Sequence, residues 1–135
     1  MKYLQFWTAT SNVPLANDAN NFATLADNTT YYADLGLHIT EWCGLLSMQW
    51  DWASLVATIT VDATNHYDAP LTEATGARWI DIAAIADVLP NGTSQDIASW
   101  ADAGYGRMRA KIVVGAVAGN GGTLRGAFHA KKRSN

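Results

Sequence analysis

Two stretches of this chain alternate apolar and polar residues with a period of two, and that pattern commits them to β-structure. From Leu46 to Trp52 one face carries Leu46, Met48, Trp50 and Trp52, while the other carries Ser47, Gln49 and Asp51. Residues 55–62 set Leu55, Ala57, Ile59 and Val61 against Val56, Thr58, Thr60 and Asp62. The short Ala53-Ser54 connection makes the pair read as a hairpin. Near the end, residues 105–114 oppose Met108, Ala110, Ile112 and Val114 to Tyr105, Arg107, Arg109 and Lys111. Residues 123–131 oppose Leu124, Gly126, Phe128 and Ala130 to Arg125, Ala127, His129 and Lys131. Between them, Gly119-Asn120-Gly121-Gly122 supplies the left-handed positions that a hairpin loop needs. The closing third therefore reads as a ribbon, apolar beneath and basic above, which requires Met108, Ile112 and Phe128 to be buried.

The remaining segments are less patterned. Residues 63–77 are rich in turn formers and read as a long loop, followed by a short strand over Arg78–Ile82. Residues 83–103 leave two readings open. One is a pair of short helical turns broken at Pro90, with Ile97 and Trp100 on one face; the other is strand plus loop. Short strands are expected at Tyr3–Thr8 and Leu35–Trp42, with Leu37 and Ile39 inward. Ser11–Asn21 and Asp27–Tyr32 read as loops or as an extended arm. With 135 residues the chain is one domain. The expected fold class is all-β: a single antiparallel β-sandwich, jelly-roll-like, with residues 1–34 as an extended N-terminal arm and 132–135 as a short basic tail.

Composition narrows the function classes. Hydrophobic residues make up 49% and charged residues 16%, against a usual charged fraction of about 25%, which excludes a disordered chain and points to surface covered by partners. Charge is also segregated. Residues 1–102 carry all the acids and a net charge of −10, whereas 103–135 carry +7 and no acid. Such a division implies internal pairing or contact between copies. The overall pI near 5.4 argues against nucleic acid. No apolar run is long enough to span a membrane, and Gln5 and Thr8 interrupt the opening apolar stretch too early for a signal peptide.

Catalytic and metal signatures are not found. His38, His66 and His129 lack metal-ligand spacing, there is no nucleophile-elbow motif, and the glycines near Gly119 lack the lysine of a phosphate loop. The lone Cys43 reads as a buried structural thiol. Asp62 with Asp68, or Asp81 with Asp87, has the residue types for acid–base or calcium chemistry but no supporting pattern, and loop aspartates are commonly turn formers. Neither a catalytic centre nor a cofactor is expected. The alternation assigns Trp50, Trp52, Trp79 and Trp100 to the core or a subunit interface ahead of a sugar platform. The sharpest feature is the basic set Arg107, Arg109, Lys111, Arg125 and Lys131. It is either balanced by acids on neighbouring strands, such as Asp51, Asp62 or Asp81, or it binds an acidic partner surface. Cross-strand like charges destabilise a sheet without intervening counter-charge, so protein partners, including other copies of this chain, are expected at those five residues.

An ordered set of motifs completes the reading. Leu45-Leu46-Ser47-Met48-Gln49-Trp50 is followed by Val56 through Asn65, then by Arg78-Trp79-Ile80-Asp81-Ile82, then by Gly104 through Arg109, Gly121-Gly122-Thr123-Leu124 and His129-Ala130-Lys131. In this order they resemble small β-sandwich virion proteins of tailed bacteriophages, which serve as head decoration (cement) or accessory structural subunits. The resemblance covers about residues 44–131; the N-terminal third and the inserts at 66–77 and 83–103 depart from it. It implies a non-enzymatic viral structural protein that forms a homotrimer or other small oligomer. Its partner would be the major capsid protein or a tail component, and it would be assembled into the virion in the host cytoplasm. A tail, neck or fibre subunit, with a carbohydrate-binding role, is the alternative.

Overall fold

The computed structural model describes residues 2–10, 14–15, 22–37, 43–101 and 106–132, and among them every regular element is a strand. In chain order these are β1 (Lys2–Tyr3), β2 (Phe6–Thr8), β3 (Pro14–Leu15), β4 (Ala23–Thr24) and β5 (Thr30–Leu37). They are followed by β6 (Cys43–Thr64), β7 (Ile80–Asp81), β8 (Asn91–Ala101), β9 (Arg107–Val114) and β10 (Thr123–Lys132). All pairings between them are antiparallel. The all-β expectation holds.

The organising element is β6. The alternating runs before and after Ala53-Ser54 do not form a hairpin; they are two halves of one 22-residue strand. Ser54 takes a left-handed φ of 51°, and the ladder with β8 shifts register between Trp52 and Leu55. The strand therefore kinks and carries on, because both halves find partners ahead of and behind the kink. Its first half lies between β8 and β10 in a first sheet, which β1 and β4 extend beyond β10. Its second half pairs with β7 on one edge and with β9 on the other, and β5, β2 and β3 follow in a second sheet. The strands join into one nearly closed sheet.

Strands β9 and β10 likewise depart from the expected hairpin. They do not pair with each other but run end to end along the same strand, β9 against residues 57–64 and β10 against 43–53. The Gly119 loop, with Gly119 at φ 90° as its position demands, carries the chain past the kink instead of reversing it. Backbone bonds from Gly115 to Val56 and from Val56 to Asn120 hold the crossing (3.0 Å or less). Of the open segment 83–103, the described residues, up to Ala101, form a bridge at Val88 to Ile59 followed by the long strand β8 and no helix.

The core lies between the sheets. Leu46, Met48, Trp50, Trp52, Leu124 and Phe128 line the first sheet; Tyr31, Ala33, Leu35, Ile59, Val61, Met108, Ala110 and Ile112 line the second. The required burial of Met108, Ile112 and Phe128 is present. Much of the stretch expected as an arm is inside this core. Leu4 and Phe6 are buried where the chain crosses from β1 in one sheet to β2 in the other, and Phe6 stacks on Trp50 with centroids 6.1 Å apart. Ala23 and Leu25 are buried as well. Ser11–Val13, residues 16–21, His38, Ile39, Trp42 and the tail from Arg133 lie outside the described residues, as does the side chain of Cys43.

Gly126 is where β10 makes room for Trp50: a Cβ there would fall 2.4 Å from the indole ring. Gly126→Ala is expected to lower unfolding stability by about 1–3 kcal/mol through overpacking, read as a lower urea midpoint at unchanged m-value.

Candidate interaction face

The basic residues do project from the polar side of their strands, as alternation requires, but the fold divides them into two unlike environments. Arg107, Arg109 and Lys111 stand on the outer side of the second sheet. Loop 65–79 folds over that surface, so these side chains form the floor of a second, polar core. Arg109 faces Asp62 directly across the β6–β9 ladder, and both side chains are wholly buried. The guanidinium donates to Asp62 Oδ2 from Nε (3.0 Å) and from Nη2 (2.9 Å), and to the Leu71 carbonyl from Nη1. Its planar faces lie 4.2 Å from the centre of the Tyr32 ring and 4.3 Å from that of Trp79.

The same loop is pinned by its neighbours. Thr75 donates to Asp62 (2.7 Å) and accepts from Lys111 Nζ (3.0 Å). Trp79 donates its indole N–H to the Pro70 carbonyl (2.9 Å), and Arg107 bonds the Ala69 carbonyl (2.7 Å) and Asp34 (3.3 Å). Burial pulls the Arg109 pKa down, while the hydrogen bond and charge of Asp62 push it back up. Burial also raises the Tyr32 pKa, opposed by the Arg109 charge. A buried pair of this kind adds little net stability, since desolvation cancels most of the attraction, yet neither member can be removed alone.

Arg109 is therefore not a surface contact, and Arg107 and Lys111 are largely spent on the loop. This corrects the expectation of one basic face. Local alternation could place these arginines outward, but not show that a loop 30 to 45 residues earlier in the chain lies over them. The alternative of acids on neighbouring strands holds for Asp62 with Arg109 and for Asp51 with Arg125 (2.7 Å).

Arg125 and Lys131 stand elsewhere, on the outer side of the first sheet, over which no comparable loop folds among the described residues. Arg125 lies over the Phe22 ring at 4.7 Å; Lys131 and His129 are exposed. Cross-strand register sets out the surface in rows. One row runs Tyr3 (β1), Ala127 (β10), Gln49 (β6), Ile97 (β8); the next but one toward the start of β6 runs Lys131, Leu45, Ala101. Tyr3, Leu45 and Ile97 are 49%, 50% and 64% exposed. A shallow depression of about 330 Å³ opens beside Gln49, Gln95, Asp96 and Ile97. Local sequence pattern does not mark this face, because β1 and β8 join it only through non-local pairing and the spacing around residue 97 suits helix and strand alike.

The other candidates disperse. Trp50, Trp52 and Trp79 are buried and Trp100 is half-buried, so these four form no exposed sugar platform. Asp62 is committed to Arg109, whereas Asp68 is exposed 3.6 Å from Arg78. No cluster of potential metal ligands occurs among the described residues. No protein family, curated protein or solved structure matched the chain.

Two predictions follow from the polar core and its loops. Arg109→Met strands the Asp62 carboxylate and is expected to cost about 3–5 kcal/mol, while the double variant with Asp62→Leu recovers most of that loss; urea unfolding of the three proteins measures both. Hydrogen bonds and charge from Arg78 lower the pKa of Glu73, and the Gly121 and Gly119 amides lower that of Asp27. A carboxylate depressed on folding stabilises above its unfolded value and loses that contribution as pH falls through its folded value. The two loops should thus stay intact at mildly acid pH and loosen below the ordinary values of 4.5 and 3.8. The Gly121 and Arg78 amide resonances would show this in a pH titration.

Proposed function

We propose that this chain is a non-enzymatic structural subunit of a bacteriophage particle, and that it decorates the capsid as a cement protein through the outer face of its first sheet. The resemblance to phage virion proteins supplies the particle. The fold supplies the face, and one observation carries the choice: the strongest charge constellation of the chain is enclosed by its own loop. On the outer face of the first sheet the exposed apolar Tyr3, Leu45 and Ile97 stand within one sheet surface, with Lys131, His129 and the Arg125–Asp51 pair around them. An apolar centre within a polar rim is the anatomy of a protein–protein contact. Burying three such side chains supplies contact energy of several kcal/mol, while the rim charges set register and partner choice more than affinity. A position on the tail, neck or fibre uses the same face with fewer copies; the burial of Trp50, Trp52 and Trp79 takes away the support these three gave to a carbohydrate site.

Quantitative mass spectrometry of particles from the phage that encodes the chain tests this reading. One or more copies per capsid subunit are expected, a ring-like number moves the chain to neck or tail, and absence from purified particles overturns it. Tyr3→Asp with Leu45→Asp should cut particle occupancy at least about tenfold while leaving the unfolding midpoint close to wild type. Reversing Arg107, Arg109 and Lys111 should instead unfold the protein, because Asp62 would lose its partner.

A further inference from the structure

Strand β8 is the longest edge strand among the described residues. One of its sides pairs with β6 from Leu45 to Val56, and no described residue pairs with the other. From Asn91 to Ile97 every residue is exposed, and Asp96 is the only charge in the strand. A long edge with so little charge and no proline is what natural sheets avoid unless another strand completes it. We propose that β8 pairs antiparallel with β8 of a second copy of this chain, about a twofold axis through Ile97. The inference rests on the reading of the chain as an assembling subunit and specifies how two subunits meet.

Register and charge select that axis. The Leu4 amide donates to the Gly126 carbonyl, so the backbone of Gly126 faces β1 and that of Ala127 faces Gln49. The backbone of Ile97, opposite Gln49 on the other side, therefore faces away from β6, where its amide donates to the carboxylate of Asp96 (2.8 Å). Alternation along the strand then aims the backbone groups of Gln95, Ile97 and Ser99 at the free edge. A twofold at Ile97 makes the two Ile97 residues a hydrogen-bonded pair, sets Gln95 opposite Ser99 and Asp96 opposite Ala98, and brings no like charges face to face. An axis at Asp96 would place two carboxylates directly opposite and two inward-directed backbones together, so it is disfavoured twice. An axis at Gln95 sets Ile97 against Thr93 and forfeits the apolar pair.

Such an axis also joins the outer faces. The row Tyr3, Ala127, Gln49, Ile97 continues into Ile97, Gln49, Ala127, Tyr3 of the second copy, doubling the contact face in a single sheet. The Asp96 carboxylate caps the central amide in the monomer, so it competes with pairing and sets the concentration at which pairing begins.

Sedimentation velocity of the full chain over micromolar to sub-millimolar concentration tests the proposal. A monomer–dimer equilibrium is expected. Ile97→Lys and Gln95→Pro, which removes an outward amide, should each weaken it about ten- to a hundredfold with unchanged circular dichroism. Asp96→Ala should tighten it. In a Cys43→Ser background, Ile97→Cys should form a disulfide-linked dimer on oxidation, whereas Val117→Cys, equally exposed, should not. A wild-type chain that stays monomeric throughout, or a trimer or other oligomer indifferent to the β8 substitutions, overturns the pairing. The particle reading is decided separately. A monomer found on purified particles removes only the β8 contact, and a β8 dimer missing from particles removes only the virion role.

Discussion

The structure depends on one strand serving two sheets. The 22 residues of β6 give their first half to β8 and β10 and their second half to β7 and β9, with Ser54 in a left-handed conformation between. Everything else is arranged by that division. Strands β9 and β10 lie in line instead of side by side, the N-terminal strands close the opposite corner, and the apolar faces of both halves turn toward one core. The kink keeps Trp50 and Trp52 on the same interior as Ile59 and Val61 even though they belong to different sheets.

Once that frame is set, the two outer surfaces have opposite fates. The second sheet receives loop 65–79, whose carbonyls and Thr75 complete the shell around Arg109 and Asp62. Charge there is interior and acts on the fold. Trp79 and Tyr32 flank the guanidinium and take the place of the water it gives up. The first sheet receives no comparable cover among the described residues. Its exposed apolar side chains, and the free edge beside them, are the material available for contact. The chain thus has one outer surface covered by its own loop and one without such cover among the described residues, and the proposed function rests on the second.

Much of the fold was legible in the residues. Alternation identified β9, β10 and both halves of β6 and assigned the correct side to Met108, Ile112 and Phe128; Asp51 and Asp62 stood, with Asp81, only in the alternative to a partner-binding basic face. The hairpins inferred at Ala53-Ser54 and Gly119 were not formed, since a short polar break is compatible with either a reversal or a kink, and only the partners available on each side decide between them. Less of the candidate face could be read. Ile97 sits in a run whose spacing suits helix and strand alike, and Tyr3 belongs to an expected strand, Tyr3–Thr8, that the structure divides between the two sheets as β1 and β2.

What the sequence by itself determined was the class of structure and the sidedness of its strands, because period-two burial is a local property of each segment. Which strands became neighbours, whether the arginines met solvent or aromatic rings, and which edge stayed free were decided only by tertiary structure. Those outcomes turn on contacts between residues tens of positions apart, such as Asp62 with Arg109 or Tyr3 with Ala127, and the energy of each depends on what else is buried around it.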